Sequence, residues 1–213
     1  MITLLFLALF AADDPMPVIA KFDFDDGDMS KWQFSDPKAF GFKENGKGKA
    51  LAVVGKSSLK PKFRSPLYYA ILKEQIVEDF ELTLSMKSTV KDYGHRDLCI
   101  FFGYAGPDHY YYIHMAKAAD AHAHSVFLVN GADRVSIGQN RTKGVEWGDE
   151  WRKIKVVRKS AEVAVYFDDM TKPIMTAKDD TFKWGKVGVG TFDDAGMFDD
   201  LVLRGVVRRP AVK

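Results

Sequence analysis

The chain has 213 residues, 46% hydrophobic and 28% charged, which is enough apolar material for one sizeable core and too much for a disordered chain. Its 31 basic and 29 acidic residues leave a formal net charge of +2, so there is no electrostatic reason to expect nucleic acid or an anionic membrane as partner. A single cysteine, Cys99, excludes an intrachain disulfide, and its apolar neighbours Leu98 and Ile100 to Phe102 predict a small buried side chain.

The amino terminus reads MITLLFLALFAA, an apolar run followed by small residues and then Asp13-Asp14-Pro15. This pattern predicts a secretory signal and leader over residues 1–15, and hence a secreted or periplasmic protein. The run is too short to span a bilayer, which takes ~20 residues. An N-terminal strand is the alternative. Residues 16–213 are expected to form one domain.

Strand patterns dominate from there on. Ile19 to Phe24, Lys49 to Val54 and Tyr68 to Val77 are early strand-like runs. Phe80, Leu82, Leu84 and Met86 alternate with polar residues, the period of a strand with one buried face. Leu98 to Phe102 is apolar on both faces and suits a central strand. Tyr110 to Met115 and Ser125 to Val129 follow. Asn130-Gly131 is a strong hairpin signal leading to Arg134 to Ile137. Alternating runs around Ile154 and Val163 flank a turn at Lys159-Ser160. Ile174 to Ala177, Val187 to Val189 and Leu201 to Leu203 complete the series. About twelve strands with short turns and no convincing helix predict an all-β, antiparallel, two-sheet sandwich or a barrel.

Several segments together resemble a known superfamily. They are Phe22-Asp23-Phe24-Asp25-Asp26 with Trp32, Asp79 to Leu82, Trp147-Gly148-Asp149-Glu150-Trp151, Val163 to Asp168, Gly185 to Phe192, and Phe198-Asp199-Asp200-Leu201-Val202-Leu203. Their order resembles the concanavalin A-like lectin/glucanase jelly rolls, and most closely the laminin-G-like and 3-keto-disaccharide-hydrolase-type domains of secreted bacterial proteins. The resemblance covers residues 19–205. It implies one concave and one convex sheet, with ligands lying across the concave one. It also implies a structural calcium ion near the terminal strands, to which Asp25 and Asp200 would contribute.

Four of the five histidines fall between residues 109 and 124. On a strand, Tyr110, Tyr112 and His114 share one face, while Tyr111, Ile113 and Met115 share the core face. Sugars need flat aromatic surfaces for their C–H patches and polar groups for their hydroxyls, and Tyr and His supply both. The candidate carbohydrate contacts are therefore Arg96, Tyr104, Tyr110, Tyr112, His114, His124 and Trp147, with Arg96 forking to hydroxyls or a uronate. The plainer alternative is a set of aromatics that only fill the sandwich.

Two other chemistries are conceivable in this region. His114, Asp120, His122 and His124 offer nitrogen and oxygen ligands for zinc or iron, at a spacing that matches no standard site. His114 as base with Arg96 as charge stabiliser would suit an elimination. The E-x-D-x-x-E strand of laminarinase-type members is missing, because Glu78-Asp79-Phe80-Glu81 is out of register. The expectation is therefore an exported carbohydrate-binding domain recognising an oligo- or polysaccharide. A glycoside-acting hydrolase or lyase is the alternative, and a protein-contacting adhesion domain is a third.

Overall fold

The structure is a computed structural model and describes residues 16–208. The predicted leader at residues 1–15 and the last five residues lie outside the described residues. Sixteen strands are present among the described residues, with one short 3-10 turn at Pro37–Ala39. No helix among them is long and apolar enough to cross a membrane.

In chain order the strands are β1 Val18–Phe22, β2 Trp32–Phe34, β3 Phe40–Glu44, β4 Lys49–Val53, β5 Tyr68–Leu72, β6 Val77–Ser88, β7 Asp97–Gly106 and β8 His109–Ala116. They continue with β9 Ser125–Asn130, β10 Val135–Ser136, β11 Gly138–Arg141, β12 Arg152–Lys159, β13 Glu162–Phe167, β14 Met175–Lys178, β15 Lys186–Thr191 and β16 Gly196–Val207. One sheet runs β11-β14-β13-β12-β6-β16-β4-β3, with β1 also on β16, and the other runs β10-β9-β8-β7-β15-β5-β2. All the pairings are antiparallel. The fold is thus the expected two-sheet sandwich.

The alternation in the sequence decides which side chains meet between the sheets. Phe80, Leu82, Leu84 and Met86 of β6 face Leu98, Ile100 and Phe102 of β7 and Tyr111, Ile113 and Met115 of β8 in one apolar core. Each such side chain contributes about 1.5–3 kcal/mol by leaving water. The predicted run Tyr68 to Val77 divides in two. Its first half joins the seven-stranded sheet as β5, and after Lys73–Ile76 the chain enters the other sheet as β6. Three short strands, β2, β3 and β11, carry too few alternating residues to announce themselves.

Two local devices shape the face that matters below. Gly103 takes a left-handed φ of 58° inside β7, and a Cβ there would stand 2.9 Å from the Tyr111 ring. The register of β7 slips here against both neighbours. This bulge turns Tyr104 to the outer face, where simple alternation would have buried it between the sheets. Asp200, with φ 50°, marks the place where β16 changes edge partner from β4 to β1. Aspartate tolerates that conformation better than most residues.

Candidate functional site

The outer face of the seven-stranded sheet carries a second cluster: Tyr69, Cys99, Phe101, Tyr104, Tyr110, Tyr112 and Phe127, with Ile71 and Val129. Tyr110 and Tyr112 stand on this face as their parity requires. They are not exposed, however: both have 0% of their surface in contact with solvent. The expectation of an open aromatic platform is corrected here, and the cause lies outside the sheet. Segment 56–67 crosses the face and seats Leu59 on the cluster. Asp36 anchors it by accepting the Ser58 amide and hydroxyl at 2.8 and 2.6 Å. Its far end is tied to the β9–β10 turn, where Arg64 N donates to Asp133 and Arg134 N donates to Arg64 O. Beneath this roof the hydroxyls of Tyr104 and Tyr110 are buried and make no hydrogen bond, with Tyr69 and Ser65 as polar neighbours.

The same face opens at one end. There Arg134, half-buried, reaches from the β9–β10 turn across the sheet. Its guanidinium lies between the rings of Phe127 and Phe192, 4.8 and 4.2 Å from their centroids. Its Nη1 donates to the Tyr112 hydroxyl at 2.5 Å and to His114 Nδ1 at 3.4 Å. Arginine can only donate, so Nδ1 accepts and the His114 proton sits on Nε2. That nitrogen faces Asp97 Oδ2 at 3.5 Å, too poorly placed for a hydrogen bond. Phe192 also stacks on His114, at 5.5 Å and 7°.

The turn after β15 supplies the acidic half of the rim. Asp97 Oδ1 accepts the Phe192 amide at 2.9 Å and the Thr191 hydroxyl at 3.1 Å, which locks the turn to β7. Asp194 accepts the Tyr93 hydroxyl at 2.8 Å and the Asp97 amide at 2.9 Å. Burial nevertheless pushes its carboxyl up to about 6, helped by the neighbouring carboxylates of Asp97 and Asp193. Asp193 is raised for the same reasons, burial first and then Asp97, and has no hydrogen-bond partner among the described residues. Asp193 and Asp194 also line an open groove of about 530 Å³ that runs past Lys43, Lys56, Tyr68 and Thr89.

The remaining residues named from the sequence stand elsewhere. Arg96 stands one residue before β7, off the aromatic face. Only 2% exposed, it binds the Ser88 hydroxyl and carbonyl and the Gly148 carbonyl. It is a tie between loops, corrected here from a face residue. Trp147 belongs to the inter-sheet core and donates Nε1–H to the Met115 carbonyl. His124 is buried at φ 54°, with Nε2 on the Thr142 hydroxyl. Asp120 pairs with exposed His95 at 3.0 Å, and His122 points to solvent, so the set His114, Asp120, His122 and His124 does not converge. Asp25 accepts the Lys49 amide and Asp200 the Ser85 hydroxyl. A calcium ion takes six to eight oxygens, and neither aspartate joins any group of three clustered ligand atoms among the described residues.

The residues missed from the sequence are Asp97, Arg134 and the Phe192-Asp193-Asp194 turn. One signal was available for Asp97: it alternates with Leu98 and so must face the same way as Cys99 and Phe101. Nothing local marks Arg134, whose partners are far along the chain.

No protein-family model matches the chain, and no curated protein matches it in sequence. Its all-β, two-sheet antiparallel sandwich is shared by solved structures, one of them described as having a galectin-like fold. A carbohydrate-binding module, CBM66, from Bacillus subtilis is similar at 15% identity with TM-score 0.59, over 84% of this chain and 98% of that one. Domain 4 of AbnA, a GH43 extracellular arabinanase from Geobacillus stearothermophilus solved with arabinotriose, is similar at 12% identity and TM-score 0.60, over 93% and 97%. A protein of unknown function with galectin-like fold from Bacillus subtilis is similar at 14% identity and TM-score 0.59, over 92% and 99%.

Proposed function

We propose that this chain is a carbohydrate-binding domain that holds an oligo- or polysaccharide at the rim formed by Arg134, Phe192 and Asp193. The observation that carries the reading is Arg134. It is a half-exposed guanidinium held between two rings and braced by Tyr112 and His114, so little side-chain entropy remains to be lost on binding. Beside it Asp193 offers an unengaged carboxylate and Phe192 a half-buried ring. A donor fork, an acceptor and an apolar plate side by side match the hydroxyls and C–H faces of a sugar. The groove beyond Asp193 gives a chain of sugars room to extend. Two of the similar structures, a carbohydrate-binding module and a domain solved with arabinotriose, carry this reading in their own names. The apolar leader adds an exported setting to the same proposal, and so does the laminin-G-like resemblance.

Affinity electrophoresis against neutral and acidic polysaccharides tests it. Retardation by at least one undegraded polymer is expected. Arg134→Ala and Asp193→Ala should each weaken it at least about tenfold, since hydrogen bonds to charged groups contribute about 1.5–3 kcal/mol. Unchanged retardation in both variants would refute the site.

A glycoside-acting enzyme is the second reading, favoured by one observation. Carboxylate oxygens of Asp97, Asp193 and Asp194 lie within 4.8 Å of one another, near the roughly 5 Å spacing of retaining glycosidases. Against it, Asp194 spends one oxygen on Tyr93 and the other on Asp97. Cleavage of the retarded polymer, abolished by Asp194→Asn, would reverse the order of the two readings.

A further inference from the structure

We infer that Asp97, Cys99 and His114 form a zinc site beneath the rim. Asp97 and Cys99 stand two apart on β7, and His114 pairs with Cys99 from β8, so the pleat sends all three side chains to the outer face. One ligand atom from each lies within 4.8 Å of the other two. His114 Nε2 is 3.5 Å from Asp97 Oδ2, and Cys99 Sγ is 3.5 Å from Asp97 Oδ1. All three residues are buried, the most exposed being His114 at 3%.

The independent pointer is His114 Nε2. It is buried, faces the Asp97 carboxylate and makes no hydrogen bond. Leaving such a group unpaired is unfavourable, and a cation between it and the carboxylate would remove the penalty. Asp193 and Asp194 cluster with Asp97 in a separate group nearer the rim and do not join these ligand atoms. One nitrogen, one sulfur and one carboxylate oxygen, with a fourth position open, suit a borderline-soft divalent ion, which is Zn²⁺.

Binding releases the Cys99 thiol proton to solvent and leaves a thiolate on the metal. It also moves the imidazole proton from Nε2 to Nδ1. Arg134 opposes that shift, since its Nη1 points a proton at Nδ1. Arg134→Gln, whose amide oxygen can accept from Nδ1–H, is therefore expected to tighten the metal site while weakening polysaccharide binding. The two readings can thus fail separately.

The test takes the full chain, freed of metal with a chelator, and titrates it with Co²⁺ in the absence of any polysaccharide. A near-ultraviolet sulfur-to-cobalt band and intense four-coordinate visible bands are expected, both abolished by stoichiometric Zn²⁺. Cys99→Ser should lose the sulfur band, and His114→Ala should weaken Zn²⁺ binding at least about tenfold. Arg134→Gln, at a half-exposed position, should raise Zn²⁺ affinity and covers the case in which a buried variant fails to fold. A pale six-coordinate spectrum without the sulfur band overturns the inference. So does Zn²⁺ affinity that is unchanged in Arg134→Gln.

Discussion

The two faces of the seven-stranded sheet are both buried, yet they are buried differently. The inner face meets the other sheet through aliphatic and aromatic side chains, and its tyrosine hydroxyls are used: Tyr111 donates to Asp179 and accepts the Phe182 amide at 3.0 Å, and Tyr68 accepts the Ser57 amide at 3.1 Å, with Trp32 Nε1 the buried polar atom left unpaired there among the described residues. The outer face is covered only by a loop and keeps polar groups without partners, namely the hydroxyls of Tyr104 and Tyr110 and the Nε2 of His114. Apolar burial stabilises a fold, whereas unpaired polar burial destabilises it. A face that carries the second kind along one end is where function rather than stability has chosen the residues.

The largest expected effect is on the inner face. Phe102→Ala removes a ring stacked on Tyr111 at 4.8 Å and lying within reach of the Arg158 guanidinium. It should cost about 3–5 kcal/mol in urea unfolding. A loss below about 1 kcal/mol would mean that the core is not where the sandwich draws its stability.

Next in size is a pH effect from a buried polar group. Burial lowers the His124 pKa to about 4, with the Arg141 charge adding to the shift. An unfolded histidine titrates near 6.5. The unfolded chain therefore binds the extra proton first as pH falls. The contribution is complete above about 6.5 and is lost progressively down to about 4, reaching about 3 kcal/mol. His124→Asn keeps a residue type that tolerates φ 54° and removes the titration. Stability curves at pH 7 and pH 4.5 should then lie closer together than in the parent, and an equal fall in both proteins would assign the effect to other groups.

Much of this contrast is legible in the sequence, and the reason is periodicity. The split of β8 into Tyr111, Ile113 and Met115 on one side and Tyr110, Tyr112 and His114 on the other follows from alternation alone, and the structure keeps it. What alternation cannot say is what lies on top of a face. Segment 56–67 precedes β7 by some thirty residues and has no regular pattern, so the roof over Tyr110 and Tyr112 is a purely tertiary fact. The rim is harder still, because Asp97, His114, Arg134 and Phe192 come from four separate stretches. The Gly103 bulge that re-aims Tyr104 was masked by glycine's ordinary role in turns.

The smallest effects make the sharpest comparison, because they differ by one oxygen on neighbouring residues. Tyr111→Phe on the inner face removes an acceptor from the Phe182 amide and a donor from Asp179. It should cost about 1–3 kcal/mol, since two partners are left behind. Tyr110→Phe on the outer face removes a hydroxyl that has no partner to strand. Its expected effect is within about 0.5 kcal/mol of zero and of either sign, because a desolvated hydroxyl disappears. Both are read from urea midpoints at pH 7. If Tyr110→Phe costs as much as Tyr111→Phe, the Tyr110 hydroxyl is satisfied by bound water under the roof, and the outer face is a wetter, better-paired surface than its side chains alone make it.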